Sequence, residues 1–103
     1  MSKSWSRKKE FNLVAINHGE LEVPGVYIFW RKNNCVYVGI SNNLRIRLTK
    51  HFESCHNDCL NAWIRSPYQL HFQVLEVNEK NHRHIRERDL IRRYDPTCNI
   101  AHT

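Results

Sequence analysis

The sequence predicts a small α+β domain, a mainly antiparallel three-stranded sheet flanked by helices in the order β-β-α-α-β-α. Three features carry that reading. Residues 23–39 are rich in β-branched and aromatic side chains, interrupted by Lys32-Asn33-Asn34, as a hairpin requires. Apolar residues then recur at helical spacing, at Leu44, Leu48 and Phe52. Strands and helices do not strictly alternate along the chain, which separates the pattern from a parallel α/β sheet.

Within the hairpin, side chains alternate between faces, so the length of the turn decides where Tyr27 and Tyr37 point. A three-residue turn pairs Phe29 with Tyr37 and puts both tyrosines on one face; a two- or four-residue turn separates them. Asn42 or Asn43 then caps a helix reaching about residue 52, because an asparagine oxygen accepts the unpaired amide hydrogens of a first turn. A second short helix is expected over 58–65, closed by Ser66-Pro67, and a third strand over 68–77. The last helix, 79–94, stops at Asp95-Pro96, since the residue before proline resists the α region. Residues 1–10 read as a basic arm, with Lys3, Arg7, Lys8 and Lys9, and 11–103 as one domain.

The chain has 103 residues, the size of one small domain, and is 41% hydrophobic, enough for a modest core. Its net charge of +6 points to a polyanionic partner. No apolar run approaches the roughly 20 residues needed to cross a bilayer, and the first residues lack a signal peptide's apolar stretch. The expectation is an intracellular, cytoplasmic protein without membrane contact. In that setting the four cysteines, Cys35, Cys55, Cys59 and Cys98, are expected to stay reduced.

Several residues invite a chemical reading. On a helical wheel, at about 100° per residue, Arg47 and His51 share an edge beside the apolar stripe, with Arg45 and Lys50 further round. Arginine offers a fork of donors that fits phosphate oxygens, and histidine moves protons near neutrality; a solvated basic face is the plainer account. Glu87 falls between Leu90 and Ile91 on the face of the last helix expected to bury, so its charge needs a partner or a cation. Arg83, one turn earlier, is the structural candidate. Tyr27 and Tyr37 can equally be ordinary strand aromatics. Cys55 and Cys59, with His51 and His56 nearby, have the spacing of a zinc site, but core packing accounts better for Cys55.

Taken together, Gly25-Val26-Tyr27, Tyr37-Val38-Gly39, Arg47 ten residues past Tyr37, His51, Glu87, Pro96 and Asn99 resemble the GIY-YIG nuclease family. The two tripeptides name the family and lie on its hairpin. The resemblance spans residues 23–99. It implies a divalent-metal-dependent endonuclease that hydrolyses phosphodiester bonds, in DNA before RNA, to a 5′-phosphate and a 3′-hydroxyl. Glu87 would hold one Mg²⁺ or Mn²⁺, Arg47 would neutralise charge on the phosphoryl oxygens, and Tyr27 or Tyr37, assisted by His51, would act as base. Gly39, Asn42, Arg45, Lys50 and Asn99 would contact substrate or brace those that do.

Ile40 stands where the family's bacterial excision-repair branch commonly has lysine, while Ser41-Asn42 and His51 look more like the small stand-alone and homing members. Weak sequence preference is expected, with selectivity for nucleic-acid structure and a homodimer mate or targeting protein as aiming devices. The competing reading is a catalytically silent nucleic-acid-binding module of the same fold. A zinc-stabilised interaction domain is the third.

Overall fold

The computed structural model describes residues 4–99 of the chain; Lys3 of the basic arm lies outside them. Strands β1 (Lys9–Glu10), β2 (Gly25–Arg31), β3 (Asn34–Ser41) and β4 (His71–Glu76) form one antiparallel sheet in the order β1-β4-β2-β3. The sheet thus has four strands where three were expected. The added strand has two residues, both charged, with no alternation to betray it; it exists because the outer edge of β4 offers unpaired backbone groups. Ser6 N also donates to Val74 O at 2.8 Å, and Phe11, the next apolar residue, packs edge-on against Phe29 at 4.7 Å.

Among the described residues, four helices complete the fold: α1 (Leu13–Ile16), α2 (Leu44–Glu53), α3 (Asp58–Arg65) and α4 (Lys80–Tyr94), with a 3₁₀ turn at Gly19–Leu21. Of the two candidate caps for α2, Asn43 is the one used: its Oδ1 accepts from Ile46 N at 3.1 Å. Asn57 serves α3 in the same way, accepting from Leu60 N at 2.9 Å. Glu79 caps α4 through Asn81 N, and Asp95 ends it with a left-handed φ of 46°. Arg83 is buried and donates to the carbonyls of Val77 and Asn78, which ties α4 to the end of β4.

The hairpin decides everything downstream. Its connection has two residues, Lys32 and Asn33, with Lys32 at a φ of 56°, the positive value a tight hairpin turn demands. A two-residue connection alone would part the tyrosines. A bulge intervenes: Trp30 pairs with Cys35, but Phe29 pairs with Tyr37, so Val36 is an extra residue and the register shifts by one. Val36 and Tyr37 consequently lean toward the same core, and Tyr37 shares a face with Tyr27, their ring centroids 6.1 Å apart.

Each sheet face has its own core. Tyr27, Phe29, Val36 and Phe72 pack with Leu44 and Leu48 of α2 and Leu60 of α3, while Val26, Ile28, Trp30, Cys35 and Val38 pack with Leu90 of α4. Fully burying one such side chain contributes about 1.5–3 kcal/mol.

β3 is the edge strand beside the site, and the C-terminal segment covers it. Cys98 N donates to Val36 O at 2.8 Å, and the Asn99 side chain exchanges both its hydrogen bonds with the Val38 backbone, at 2.9 and 3.0 Å. That run brings Cys98 against the first turn of α3, where it forms a disulfide with Cys59, their Cα atoms 5.4 Å apart. The expectation of four reduced cysteines is therefore corrected. Only Cys35 and Cys55 carry free thiols, and the two partners, 39 residues apart in sequence, meet because of tertiary docking that no local spacing reveals.

Candidate active site

At the Gly39 end of the hairpin the sheet and α2 build a polar cluster into an otherwise apolar core. Tyr27 is fully buried, and its hydroxyl lies 2.7 Å from Nε2 of His51, itself 8% exposed. The tyrosine fits because its cross-strand partner is Gly39: a Cβ there would stand 2.4 Å from the Tyr27 Cζ and hydroxyl oxygen. Gly25 is required for a different closeness, a Cβ falling 2.3 Å from Leu75 O across the neighbouring strand. Both motif glycines thus make room for the hairpin's own packing.

His51 faces three aromatic rings, Tyr27, Phe29 and Tyr37, with centroids 5.6 to 5.8 Å away. Burial, with the Arg47 guanidinium beside it, lowers its pKa to about 4, so the imidazole is neutral at pH 7. Burial also pushes the Tyr27 phenol well above its ordinary value; Tyr37 adds to the rise, Arg47 opposes it, and Glu87 raises it further. The Tyr37 phenol is raised by burial and then by Glu87, again against Arg47. Arg47 from α2 and Glu87 from α4 therefore act on the same two phenols from opposite helices. Glu87 is half-buried, and Arg47 is exposed at the mouth of the site.

Five residues singled out from sequence are thus brought together: Tyr27, Tyr37, Arg47, His51 and Glu87. Lys50 joins them at the rim of a cleft of about 770 Å³ that runs from Tyr37 past Arg47 and His51 to His56 and Asn57. Gly39 and Asn99 shape the site from within the fold, by making room for Tyr27 and by holding β3. Arg45 points elsewhere, bonded to Glu22 at 3.1 Å and to Asn17. Asn42 is exposed just before α2 and leaves the capping to Asn43. Cys55, assigned to core packing from sequence, does pack against the core but also sets its Sγ 3.3 Å from His51 Nδ1. Its i, i+4 spacing from His51 was the available signal. Among the described residues, no group of three or more His, Cys, Asp or Glu forms a metal site of the zinc type, and Cys59 is held in the disulfide.

A buried phenol–imidazole pair thus lies between a guanidinium and a carboxylate at one end of a helix-covered antiparallel sheet, a set of groups suited to acid–base chemistry. The sequence profile of the GIY-YIG catalytic domain matches residues 23–99, and the chain belongs to that family of endonucleases. UvrABC system protein C of Mycoplasma mycoides is 32% identical over 78 residues, and that of Aquifex aeolicus 31% over 91, covering 75% and 79% of this chain. The chain spans only 13% and 14% of those curated relatives. The GIY-YIG N-terminal endonuclease domain of UvrC from Thermotoga maritima, in a crystal structure with its catalytic magnesium, superimposes with a TM-score of 0.64. It is 26% identical, covering 77% of this chain and 85% of that one. These similarities run to the excision-repair branch even though Ile40 departs from its usual lysine. No helix among the described residues is long and apolar enough to cross a membrane.

Proposed function

We propose that the chain is a divalent-metal-dependent endonuclease that hydrolyses nucleic-acid phosphodiester bonds, in DNA before RNA, leaving 5′-phosphate and 3′-hydroxyl ends. The observation that carries this is the 2.7 Å contact between the Tyr27 hydroxyl and a neutral His51, on which Arg47 and Glu87 converge. Moving a proton beside a phosphate needs that combination of groups.

The donor set suits Mg²⁺ or Mn²⁺. Glu87 offers hard carboxylate oxygens whose negative charge is felt by both phenols, and magnesium is commonly held by one or two carboxylates with substrate phosphate and water completing its shell. The Thermotoga maritima relative was crystallised with magnesium. When bound, the cation supplies positive charge that offsets the charge gathering on the phosphate and the departing oxygen.

The chain's own residues do the rest. Tyr27 takes a proton from the attacking water as its own proton passes to His51 Nε2, so a free phenolate, which burial makes costly, does not have to form. Arg47 holds the phosphoryl oxygens with its planar fork. Lys50, on the same cleft, meets a neighbouring phosphate. Tyr37 closes the pocket beside both and orders the water. A surface that grips backbone in this way predicts weak sequence preference and selectivity for nucleic-acid structure, with a second copy or a targeting protein supplying aim, inside the cell.

The test is end-labelled cleavage of duplex, single-stranded, flap and branched DNA and of RNA, with Mg²⁺, Mn²⁺ or chelator. Cutting that requires the metal is expected. Salt-sensitive binding to several substrates without cutting of any would replace the enzyme with a silent binding module.

A further inference from the structure

The Tyr27–His51 pair works only if His51 presents a lone pair, and not a proton, at Nε2. An imidazole chooses between its two neutral tautomers according to what its other nitrogen meets. Here that nitrogen meets sulfur: Nδ1 of His51 is 3.3 Å from Cys55 Sγ. The thiol has one proton, and the Asn57 carbonyl oxygen lies 3.6 Å from the same sulfur, a position to accept it. With the S–H pointed at Asn57, only a sulfur lone pair is left to face Nδ1, which must then carry the hydrogen. Asn57 is in turn fixed, its Oδ1 capping α3 at Leu60 N and its Nδ2 donating to Cys98 O at 3.0 Å.

We infer that Cys55 is a positioning residue for the reaction: its thiol, aimed by the Asn57 carbonyl, locks His51 in the Nδ1–H tautomer so that Nε2 receives the proton of Tyr27. The relay runs Tyr27 O–H to His51 Nε2, His51 Nδ1–H to Cys55 Sγ, and Cys55 S–H to Asn57 O. Only the first proton changes owner during turnover. The thiol stays protonated throughout, in keeping with the upward push that burial gives its pKa. Helix α2 ends at Glu53, so Cys55 is held by the loop that joins α2 to α3. The docking of α3, and the Cys59–Cys98 disulfide that pins it, therefore bear on the proton acceptor through the loop that carries Cys55.

This inference rests on the proton-transfer role proposed above for His51, and its test separates the two. Nitrogen-15 NMR of the imidazole ring in the whole chain, free of metal and substrate, reads the tautomer directly. The Nδ1–H form is expected in the native protein and in Cys55→Ser, whose hydroxyl also accepts from Nδ1, and a mixture with the Nε2–H form in Cys55→Ala. In single-turnover cleavage, Cys55→Ala is expected to be about 10-fold slower at saturating substrate, with KM unchanged and Cys55→Ser restoring most of the rate. An Nε2–H ring in the native protein, or a tautomer indifferent to Cys55→Ala, would overturn the inference. A tautomer that shifts as expected while His51→Ala cleaves at the native rate would uphold the lock and remove His51 from the chemistry instead.

Discussion

The two faces of the hairpin come from the same strands and carry opposite designs. Toward α4, Val26, Ile28, Trp30, Cys35 and Val38 build a core with Leu90 that only packs. Toward α2, alternate positions of the same strands supply Tyr27 and Tyr37, and a histidine is buried against them at the cost of dehydrating its imidazole. Period-two alternation, together with the register shift at the bulge, lets one sequence serve both ends. The hairpin contributes its phenols only on the face where a glycine leaves room and a bulge turns Tyr37 inward, while α4 adds Glu87.

That contrast predicts where function and stability part company. The largest effect is expected for Glu87→Gln, which keeps size and hydrogen bonding but removes the charge: metal-dependent cleavage should fall roughly 10³-fold or more. The melting temperature should hold within a degree or two, checked by calorimetry beside the nuclease assay. Arg47→Lys should follow at roughly 10²-fold, because an ammonium cannot fork across two phosphoryl oxygens. Binding measured at low salt should change far less.

Acid should find the α2 face first. His51 is held neutral with a pKa near 4, against 6.5 for the free side chain. Its folded pKa is thus depressed, and protons bind the unfolded chain more readily between those values. The stability it confers is full above pH 6.5 and drains away as pH falls toward 4. About 2 kcal/mol should be lost between pH 7 and pH 5 in urea titrations, and His51→Gln should remove most of that dependence. The smallest effect belongs to the other face: Ile28→Val should cost about 1 kcal/mol in the same titrations and leave cleavage within twofold.

Much of this was legible in the sequence, for reasons that differ from residue to residue. The hairpin, α2 with its asparagine cap, α3 and α4 announce themselves through local rules, and the bounds expected for α3 match those observed. Tyr27, Tyr37, Arg47, His51 and Glu87, which only the family resemblance joined, lie around one cluster in the fold. What escaped depends on tertiary geometry. The bulge at Val36 leaves no local signature, β1 is too short and too charged to show a pattern, and Cys59 meets Cys98 only after α3 and the C-terminal segment dock. Gly39 was marked as a substrate contact, yet its plainest service is to the ring across the sheet. Asn99, similarly, spends both side-chain hydrogen bonds on Val38.

The central claim is that Tyr27 and His51 move one proton as a unit. Single-turnover cleavage under saturating Mg²⁺ by Tyr27→Phe, His51→Ala and the double variant tests it most directly. Each single change should slow the step by roughly 10²-fold or more, and the double variant should be no slower than the worse single one, since either loss disables the pair. Effects that multiply in the double variant would contradict the account, because the phenol and the imidazole would then be acting independently.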